Sequence, residues 1–266
     1  MISSLGVRYS PRDVIGRGAT AIVYRGHYQG NTVAIKVFNE YVNDDSTRLE
    51  NAIGQELDAW RRLSGKPHIL KLIGACTKVA QPFIVSEYCI GNCIKYVRLN
   101  PEMLLRIIYE ISIGLEQIHN IGVCHRDIKG NNILVTAEGR AAIADFGLSK
   151  NAMQMLSSSY ATTRPISGLP TVGTLNWMSP EQYESPSKVT DRSDMWSFGM
   201  VLYELLAGYV PFYELSDGEI VEALKGDYVR PSLPEGLQCD PRLLRLLTMC
   251  WKREPRLRPQ AAEVRI

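Results

Sequence analysis

The spacing of apolar residues changes along the chain and divides it into two parts. In the first part Val33, Ile35 and Val37 occupy alternate positions, which is the period of a strand with one buried face. Ile53 and Trp60 then recur at helical spacing. Two further strands are predicted at 69–75 and 82–88. The first part is therefore predicted to form a sheet with one helix.

The second part carries the pattern of amphipathic helices. Asn100 is a typical N-cap residue, Pro101 suits the first helical position, and Ile107 and Ile111 begin an apolar stripe. Further helices are predicted at 191–207, 218–224 and 241–251. A small strand-rich part thus precedes a larger helical part, and the two join near residue 89. The cleft between two such lobes is a favoured site for a ligand.

Length and composition narrow the class of protein without identifying it. The 266 residues suffice for one or two domains of about 150 residues each. The contents of 45% apolar and 22% charged residues are those of a globular protein, which excludes disordered, collagen-like and disulfide-scaffold classes. Thirty basic and 28 acidic side chains leave a net charge of +2, so the bulk charge indicates neither a nucleic acid nor a membrane surface as partner.

The N-terminus, the longest apolar run and the cysteines favour an intracellular, cytoplasmic location. Residues 1–9 lack the charged stretch and apolar core of a signal peptide. The run 195–212 is interrupted by Glu204 and two glycines, so we predict a buried helix there and no membrane span. The six cysteines form no CxxC pair, which favours reduced thiols over a disulfide framework or a zinc site.

A glycine-containing turn and a nearby lysine have features of a phosphate-binding element. Gly16 and Gly18 would let a loop lie close over a phosphate, although such a pair is also typical of a hairpin turn. Ala21 stands where a third glycine is usual. On the following strand Ala34 and Lys36 lie two positions apart and therefore on the same face. A small residue beside a lysine would admit a flat ring while the ammonium group reaches its phosphates.

Glu56 lies within the apolar stripe of the predicted first helix, between Ile53 and Trp60. A buried carboxylate is rare unless it is paired. Pairing with Lys36 would satisfy both charges and would couple the position of the lysine to that of the helix. The alternative is a different helix register, in which Glu56 faces solvent.

The stretch 125–132 is the densest cluster of polar residues in the chain, and a predicted β-hairpin follows it. Asn132 enters the first strand and Asp145 leaves the second, so antiparallel pairing brings both to the same open end. Amide and carboxylate oxygens are suitable ligands for a Mg²⁺ ion that carries phosphates. Asp127 is placed to accept a proton from an incoming hydroxyl group, and Lys129 to neutralise charge on a transferring phosphoryl group.

Taken in order, these motifs resemble those of the eukaryotic protein kinase family over nearly the whole chain. The stretch 178–181 is similar to the family's APE motif, with Ser179 in place of alanine. The stretch 194–199 is similar to its DxWSFG helix start, and Arg258 stands where the late arginine that partners Glu181 is expected.

The resemblance implies an α+β, bilobal fold that forms one catalytic domain at 9–266. A small antiparallel, β-rich N-lobe with one key helix would span about 9–88. A hinge would follow at about 87–92, and a larger, mainly helical C-lobe at about 93–266.

The resemblance also implies a role for each motif residue, with ATP and Mg²⁺ as cofactors and Mn²⁺ as an alternative ion. Lys36, paired with Glu56, would bind the α- and β-phosphates, and Asp127 would be the catalytic base beside Lys129. The metal ligands would be Asn132 and Asp145, and the other nucleotide-binding positions Ile15, Gly16, Gly18, Val23, Ala34, Ser86, Glu87, Cys89 and Leu134.

Ser86 matches the gatekeeper position of the family. Because its side chain is small, we predict an open pocket behind the nucleotide site and sensitivity to bulky hinge-binding inhibitors. The hydrophobic stack behind the site would consist of Trp60, Leu72, His125 and Phe146.

Substrate class and regulation also follow from the resemblance. Lys129 and the pair 173–174 are similar to serine/threonine kinases, whereas 250–251 and 194–199 are similar to the tyrosine-kinase and tyrosine-kinase-like groups. We therefore expect a tyrosine-kinase-like kinase that phosphorylates serine and threonine hydroxyls of protein substrates, with dual specificity as the alternative.

Arg126 indicates control by phosphorylation of the segment 145–181, because a guanidinium group binds phosphate strongly. By position Thr171 is favoured, then Ser167. The phosphate would come from an upstream kinase or from autophosphorylation in trans.

Two other functions have to be weighed against an active protein kinase. A nucleotide-binding pseudokinase scaffold would lack part of the catalytic set, but Lys36, Asp127 and Asp145 are all present. A small-molecule kinase is disfavoured by the APE-like motif and by Arg258, which in the family shape a docking site for protein substrates.

Overall fold

The structure, a computed structural model, describes residues 2–18, 21–38, 46–79, 81–147, 150–151, 175–226, 230–237 and 239–264. It begins with a five-stranded antiparallel sheet in the order β1-β2-β3-β5-β4. The strands are β1 Val7–Arg17, β2 Ala21–Tyr28, β3 Asn31–Phe38, β4 Leu72–Cys76 and β5 Phe83–Glu87.

The alternation in β3 sets which face of this sheet is buried. Val33, Ile35 and Val37 are buried on one face and pack with Phe83 and Val85 of β5. The other face of β3 is less buried, as expected for a surface that lines an opening. The strand predicted from the period of two is therefore confirmed.

Among the described residues, α1, Ser46–Leu63, is the one helix between the strands of this sheet. Ile53, Trp60 and Leu63 are buried along one side of it, which confirms the predicted register. The Trp60 indole donates a hydrogen bond to the carbonyl oxygen of Leu70 at 2.6 Å. This bond ties the last turns of α1 to the chain that leads into β4.

The rest of the described chain is mainly helical. Helix α5, Asp191–Ala207, lies at its centre and is buried along most of its length. The apolar run 195–212 is therefore a buried helix as far as Ala207, whereas its last residues leave the helix, and Tyr209 and Val210 are exposed. A capping box at Thr190 begins α5, and Gly208, with φ of 75°, ends it. The helices are α2 Cys93–Leu99, α3 Leu104–Asn120, α4 Pro180–Glu184, α5 Asp191–Ala207, α6 Asp217–Lys225 and α7 Pro241–Cys250.

Short strands flank the polar stretch 125–132, which lies between β7, Val123–Cys124, and β8, Ile133–Thr136. In the sheet β6-β8-β9, Ile133 pairs with Ile143, which confirms the hairpin predicted after residue 132. The strands are β6 Cys89–Asn92, β7 Val123–Cys124, β8 Ile133–Thr136, β9 Ala141–Ile143 and β10 Lys150–Asn151. A β-rich N-terminal part and a helical C-terminal part make the fold α+β and bilobal, as expected.

Asn100 precedes a helical turn with Pro101 at its first position, as predicted, but the Asn100 side chain makes no N-cap hydrogen bond to that turn. Its side-chain amide donates to the carbonyl oxygen of Tyr96, because α2 ends there and its last carbonyl groups need donors. The 3₁₀ turn Pro101–Met103 follows, and α3 begins only at Leu104.

All six cysteines are free thiols. Within the described ranges, no helix combines the length and the apolar character needed to cross a bilayer.

Candidate active site

A lysine and two carboxylates meet between the sheet and α1. Lys36 Nζ lies 2.8 Å from Glu56 Oε1 and 3.2 Å from Asp145 Oδ1. Glu56 is only 4% exposed, so the apolar stripe does contain a buried, paired glutamate. The pair predicted from the sequence is present, and Asp145 joins it from more than one hundred residues away.

The charged groups in this cluster shift one another's pKa values. Burial disfavours the ammonium form, but the carboxylates of Asp145 and Glu56 outweigh it and raise the pKa of Lys36 to about 12. Burial also opposes the ionised form of Asp145, yet the charge of Lys36 keeps the pKa of that carboxyl below its ordinary value. Burial raises the pKa of Glu56, which shares Lys36 with a second carboxylate. The lysine is thus held as a cation beside an ionised aspartate.

A second cluster lies on the loop that precedes β8. Lys129 Nζ lies 2.8 Å and 3.0 Å from the two carboxylate oxygens of Asp127. The Asn132 side-chain amide donates to the carboxylate and to the backbone carbonyl of Asp127, both at 2.8 Å. Asp127 is 8% exposed. These bonds fix one rotamer of the aspartate beside a cation.

The β8–β9 hairpin brings the two clusters together. The Ala144 amide donates to the Asn132 carbonyl oxygen at 2.8 Å, so Asp145 emerges beside Asn132 although thirteen positions separate them in the sequence. Asp145 has φ of 67°, a left-handed conformation that aspartate tolerates.

These two residues suit a divalent cation. The Asn132 amide nitrogen is directed at Asp127, which orients its oxygen away, and the Asp145 side chain is 44% exposed. An amide oxygen and an ionised carboxylate are hard oxygen donors that Mg²⁺ accepts alongside phosphates.

Three rings stack behind the site. The Phe146 ring lies 5.1 Å from that of His125 and 5.9 Å from that of Trp60, measured between centroids. All three side chains are buried. The His125 ring also bonds the Ala144 carbonyl oxygen at 3.1 Å, so the stack braces the turn that carries Asp145.

Asp194, at the start of α5, holds the loop 125–132, which is the predicted catalytic loop. It accepts hydrogen bonds from the backbone amides of His125 and Arg126, both at 2.8 Å, and contacts His119 at 3.0 Å. Burial opposes ionisation, but these donors keep the pKa of Asp194 below its ordinary value. The sequence placed Asp194 in a motif without revealing this contact.

The glycine turn lies at the end of the sheet. Gly16 pairs with Val23 across the β1–β2 hairpin, and the Gly18 amide donates to the Ala21 carbonyl oxygen at 2.9 Å. Ile15 is 47% exposed on β1. Residues 19–20, between the glycines and Ala21, lie outside the described residues.

The predicted adenine-binding positions lie on neighbouring strands. Ala34 is paired with Ser86 across β3 and β5. Glu87 ends β5, Cys89 begins β6, and Leu134 on β8 is half-buried. Burial raises the pKa of the Cys89 thiol to about 12, so it is uncharged at neutral pH.

A buried ion pair anchors the segment that leads into α4. The Arg258 guanidinium, fully buried, contacts the two carboxylate oxygens of Glu181 at 2.6 Å and 2.9 Å. The Ser193 hydroxyl also donates to Glu181, at 2.6 Å. The Gln182 side-chain amide donates to the Arg126 carbonyl oxygen at 2.9 Å, which connects α4 to the loop 125–132.

Glu204 is a site residue that the sequence reasoning missed. It is 7% exposed on α5, and its carboxylate accepts hydrogen bonds from the Trp177 indole at 3.1 Å and from the backbone amide of Gly130. Burial raises its pKa to about 7, against those bonds. A Cβ atom on Gly130 would lie 2.5 Å from the Ile94 side chain and 2.6 Å from Glu204 Oε2, so an alanine there would displace one or both of these side chains. The signal in the sequence that could have identified it is the presence of an acidic residue inside the apolar run 195–212.

The predicted phosphorylation sites Thr171 and Ser167 lie outside the described residues, as does the pair 173–174. Of the segment 145–181, the structure describes 145–147, 150–151 and 175–181.

Comparison of the sequence with known proteins identifies its family. The sequence matches the model of a family described as protein tyrosine and serine/threonine kinase over residues 10–266. It is 34% identical over 256 residues to the serine/threonine/tyrosine-protein kinase HT1 of Arabidopsis thaliana, which covers 93% of this chain and 62% of that protein.

Two further relatives have similar identities. The dual specificity protein kinase pyk3 of Dictyostelium discoideum is 30% identical over 257 residues, which covers 94% of this chain and 18% of that protein. The MAP3K epsilon protein kinase 1 of Arabidopsis thaliana is 35% identical over 269 residues. That alignment covers 97% of this chain and 18% of that protein. The chain thus spans less than two thirds of the length of these relatives. The chain belongs to the protein tyrosine and serine/threonine kinase family, whose members use ATP, a divalent metal ion and protein substrates.

Proposed function

We propose that the chain is an ATP- and Mg²⁺-dependent protein kinase that transfers the γ-phosphoryl group to serine and threonine hydroxyls of protein substrates. The observation that supports this proposal most directly is that the cluster around Lys36 and the cluster around Asp127 are brought together. Asp127, bonded to Lys129 and Asn132, lies on the loop whose hairpin returns Asp145 to Lys36.

Asp127 is proposed as the catalytic base. Its carboxylate is held by Lys129 and Asn132 at 2.8 Å, so it is oriented before substrate arrives. It would accept the proton of the attacking hydroxyl as the new oxygen–phosphorus bond forms and the bond to ADP breaks. Lys129 would then offset negative charge on the transferring group.

Lys36 and Glu56 are proposed to position the nucleotide. A lysine whose pKa is raised to about 12 remains charged throughout the physiological range and is suited to phosphate oxygens. Asn132 and Asp145 would hold the Mg²⁺ ion, which neutralises phosphate charge when bound. Ala34, a small residue beside Lys36, leaves room for a flat base.

The proposed acceptors are serine and threonine, with dual specificity as the second candidate. Lys129 in the catalytic loop supports the first. The names of relatives at 34% and 30% identity, which include tyrosine or dual specificity, support the second.

We also propose that the catalytic unit spans 9–266, with the hinge at about 87–92, and that phosphorylation controls it. Arg126, next to the proposed base and with φ of 72°, is the residue that would bind the phosphate, on Thr171 or Ser167. An upstream kinase or autophosphorylation in trans would supply it. The free thiols are those that a reducing, cytoplasmic compartment maintains. Unchanged activity after phosphatase treatment would refute the regulatory proposal.

Labelled ATP tests the function. The purified chain is incubated with Mg²⁺ and generic protein substrates, with Asp127→Asn as control, and the products undergo phosphoamino-acid analysis. We expect phosphoserine and phosphothreonine from the wild type and none from the variant. Phosphotyrosine in addition would establish dual specificity. Nucleotide binding without transfer by the wild type would refute the kinase proposal in favour of a scaffold.

A further inference from the structure

The connection between α5 and α6 exposes two tyrosine rings that stack on each other. Tyr209 and Tyr213 are 50% and 55% exposed, their ring centroids lie 4.9 Å apart, and their planes differ by 27°. Val210 between them is 41% exposed. These three residues are called the aromatic patch. Aromatic side chains are among the strongest contributors to interfaces, so an exposed, ordered pair indicates a binding surface.

The backbone around the aromatic patch is held in a strained turn. Phe212, between the exposed rings, is buried and has φ of 57°, a conformation that bulky residues rarely adopt. Hydrogen bonds from the Tyr213 amide to Val210 and from the Asn176 side chain to Pro211 maintain the turn at 3.1 Å and 2.7 Å. Burial of Phe212 therefore directs its neighbours outward, and strain that is maintained in this way is typical of functional sites.

The aromatic patch is connected to the candidate active site through short contacts. Asn176, which holds the turn, precedes Trp177, and the Trp177 indole donates to Glu204. The carboxylate of Glu204 in turn accepts the amide of Gly130 in the catalytic loop. A segment bound at the patch would therefore lie beside the turn Leu175–Trp177, which precedes α4.

The charge around the aromatic patch determines which partner fits. The stretch 209–225 contains four acidic residues and one cation, Lys225, which pairs with Glu222 at 2.9 Å, so its net charge is negative. The Tyr213 hydroxyl donates to Glu214 at 2.6 Å, which places a carboxylate at the edge of the stacked rings. The acidic residues, all exposed, are Glu214, Asp217, Glu219 and Glu222. Aromatic faces beside carboxylates are the chemistry that recognises a cation.

We propose that the aromatic patch, with the carboxylates around it, docks an arginine- or lysine-rich segment of the protein substrate. This inference rests on the proposed function and specifies the substrate class. A guanidinium group can lie flat on a tyrosine ring while its edge pairs with a carboxylate, so arginine fits best. In the substrate, the docked segment is a different part of the chain from the one that carries the phosphorylated hydroxyl.

Fluorescence anisotropy tests the docking without any catalytic step. The probe is a labelled arginine-rich peptide without serine, threonine or tyrosine, and the reference is the same peptide with glutamine for arginine. We expect binding of the first only, weakened by salt, and weakened about five- to ten-fold by Glu214→Lys or by Tyr209→Ala with Tyr213→Ala. Tyr109→Ala and Glu235→Lys, exposed residues elsewhere, should change nothing.

Each other outcome decides against the proposal. Equal binding of both peptides, or equal losses in the control variants, would refute docking of a cationic segment. If thermal melting shows that the double variant is unfolded, Glu214→Lys, which replaces one exposed carboxylate by an ammonium group and is matched by Glu235→Lys, decides alone. Self-association that the patch variants abolish, with peptide binding unchanged, would instead assign the surface to a second copy of the chain.

A kinetic comparison separates this inference from the proposed function. The KM of a substrate with an arginine-rich tail should rise in Glu214→Lys, while kcat and the KM of the untailed substrate stay unchanged. Binding of the tail without phosphoryl transfer by the wild type would refute only the proposed function. Transfer with the same KM for both substrates would refute only the docking.

Discussion

Substitution of Glu204 by glutamine should change how stability depends on pH. The pKa of this buried glutamate rises from 4.5 to about 7. Between these values the folded protein binds a proton that the unfolded chain has released. The free energy of unfolding of the wild type therefore falls as the pH rises through this window. A glutamine side chain does not titrate, so this fall is absent from the variant.

The size of this pKa shift determines how much the free energy of unfolding changes with pH. Each pKa unit corresponds to about 1.4 kcal/mol, so the group contributes a loss of roughly 2–3 kcal/mol between pH 5 and pH 8. The stability of Glu204→Gln minus that of the wild type should increase by that amount. The comparison cancels any fixed effect of the substitution on the bonds from Trp177 and Gly130.

Urea unfolding of both proteins at pH 5 and pH 8 measures this difference. A difference that grows with pH by roughly 2–3 kcal/mol would support a buried, proton-binding carboxylate that holds the catalytic loop against the 175–177 turn. A difference that is the same at both pH values, or that shrinks as the pH rises, would refute the reasoning.

Three other substitutions test separate parts of the structure. Arg258→Ala should cost about 3–5 kcal/mol in urea unfolding, because it leaves Glu181 buried without its partner, and a loss below about 1 kcal/mol would contradict this. Gly130→Ala should lower both the melting temperature and activity, whereas Gly218→Ala, where a Cβ atom meets open space, should lower neither. Ser86→Met should weaken a bulky hinge-binding inhibitor about ten-fold with little change in the KM for ATP, and equal inhibition would refute an open pocket.

Local patterns predicted much of the fold and the site. Helix α5 runs from Asp191 to Ala207, which are the predicted bounds. The meeting of Asn132 with Asp145 also followed from the sequence, because the register of a short hairpin is a local property. Glu56 was found because a charge on an apolar stripe requires a partner, and Lys36 was the cation available on a nearby strand.

Contacts between distant elements could not be predicted in the same way. Glu204 lies in α5 and Gly130 in the catalytic loop, and only the packed fold shows that they touch. The same holds for the bonds from the catalytic loop to Asp194. Asn100 shows a limit of local patterns as well. Its residue type favours a side-chain cap on the helical turn that follows, but in the structure its side chain bonds the end of the preceding helix α2.

The rate of phosphoryl transfer in Asp127→Asn tests the central claim most directly. Asparagine preserves the size of the side chain beside Lys129 and Asn132 but cannot accept the proton of the attacking hydroxyl. We predict that kcat falls by at least about 10²-fold, while the Kd for ATP, measured on the same preparation, changes by less than about three-fold. A variant that transfers phosphate as fast as the wild type would contradict the assignment of Asp127 as the catalytic base.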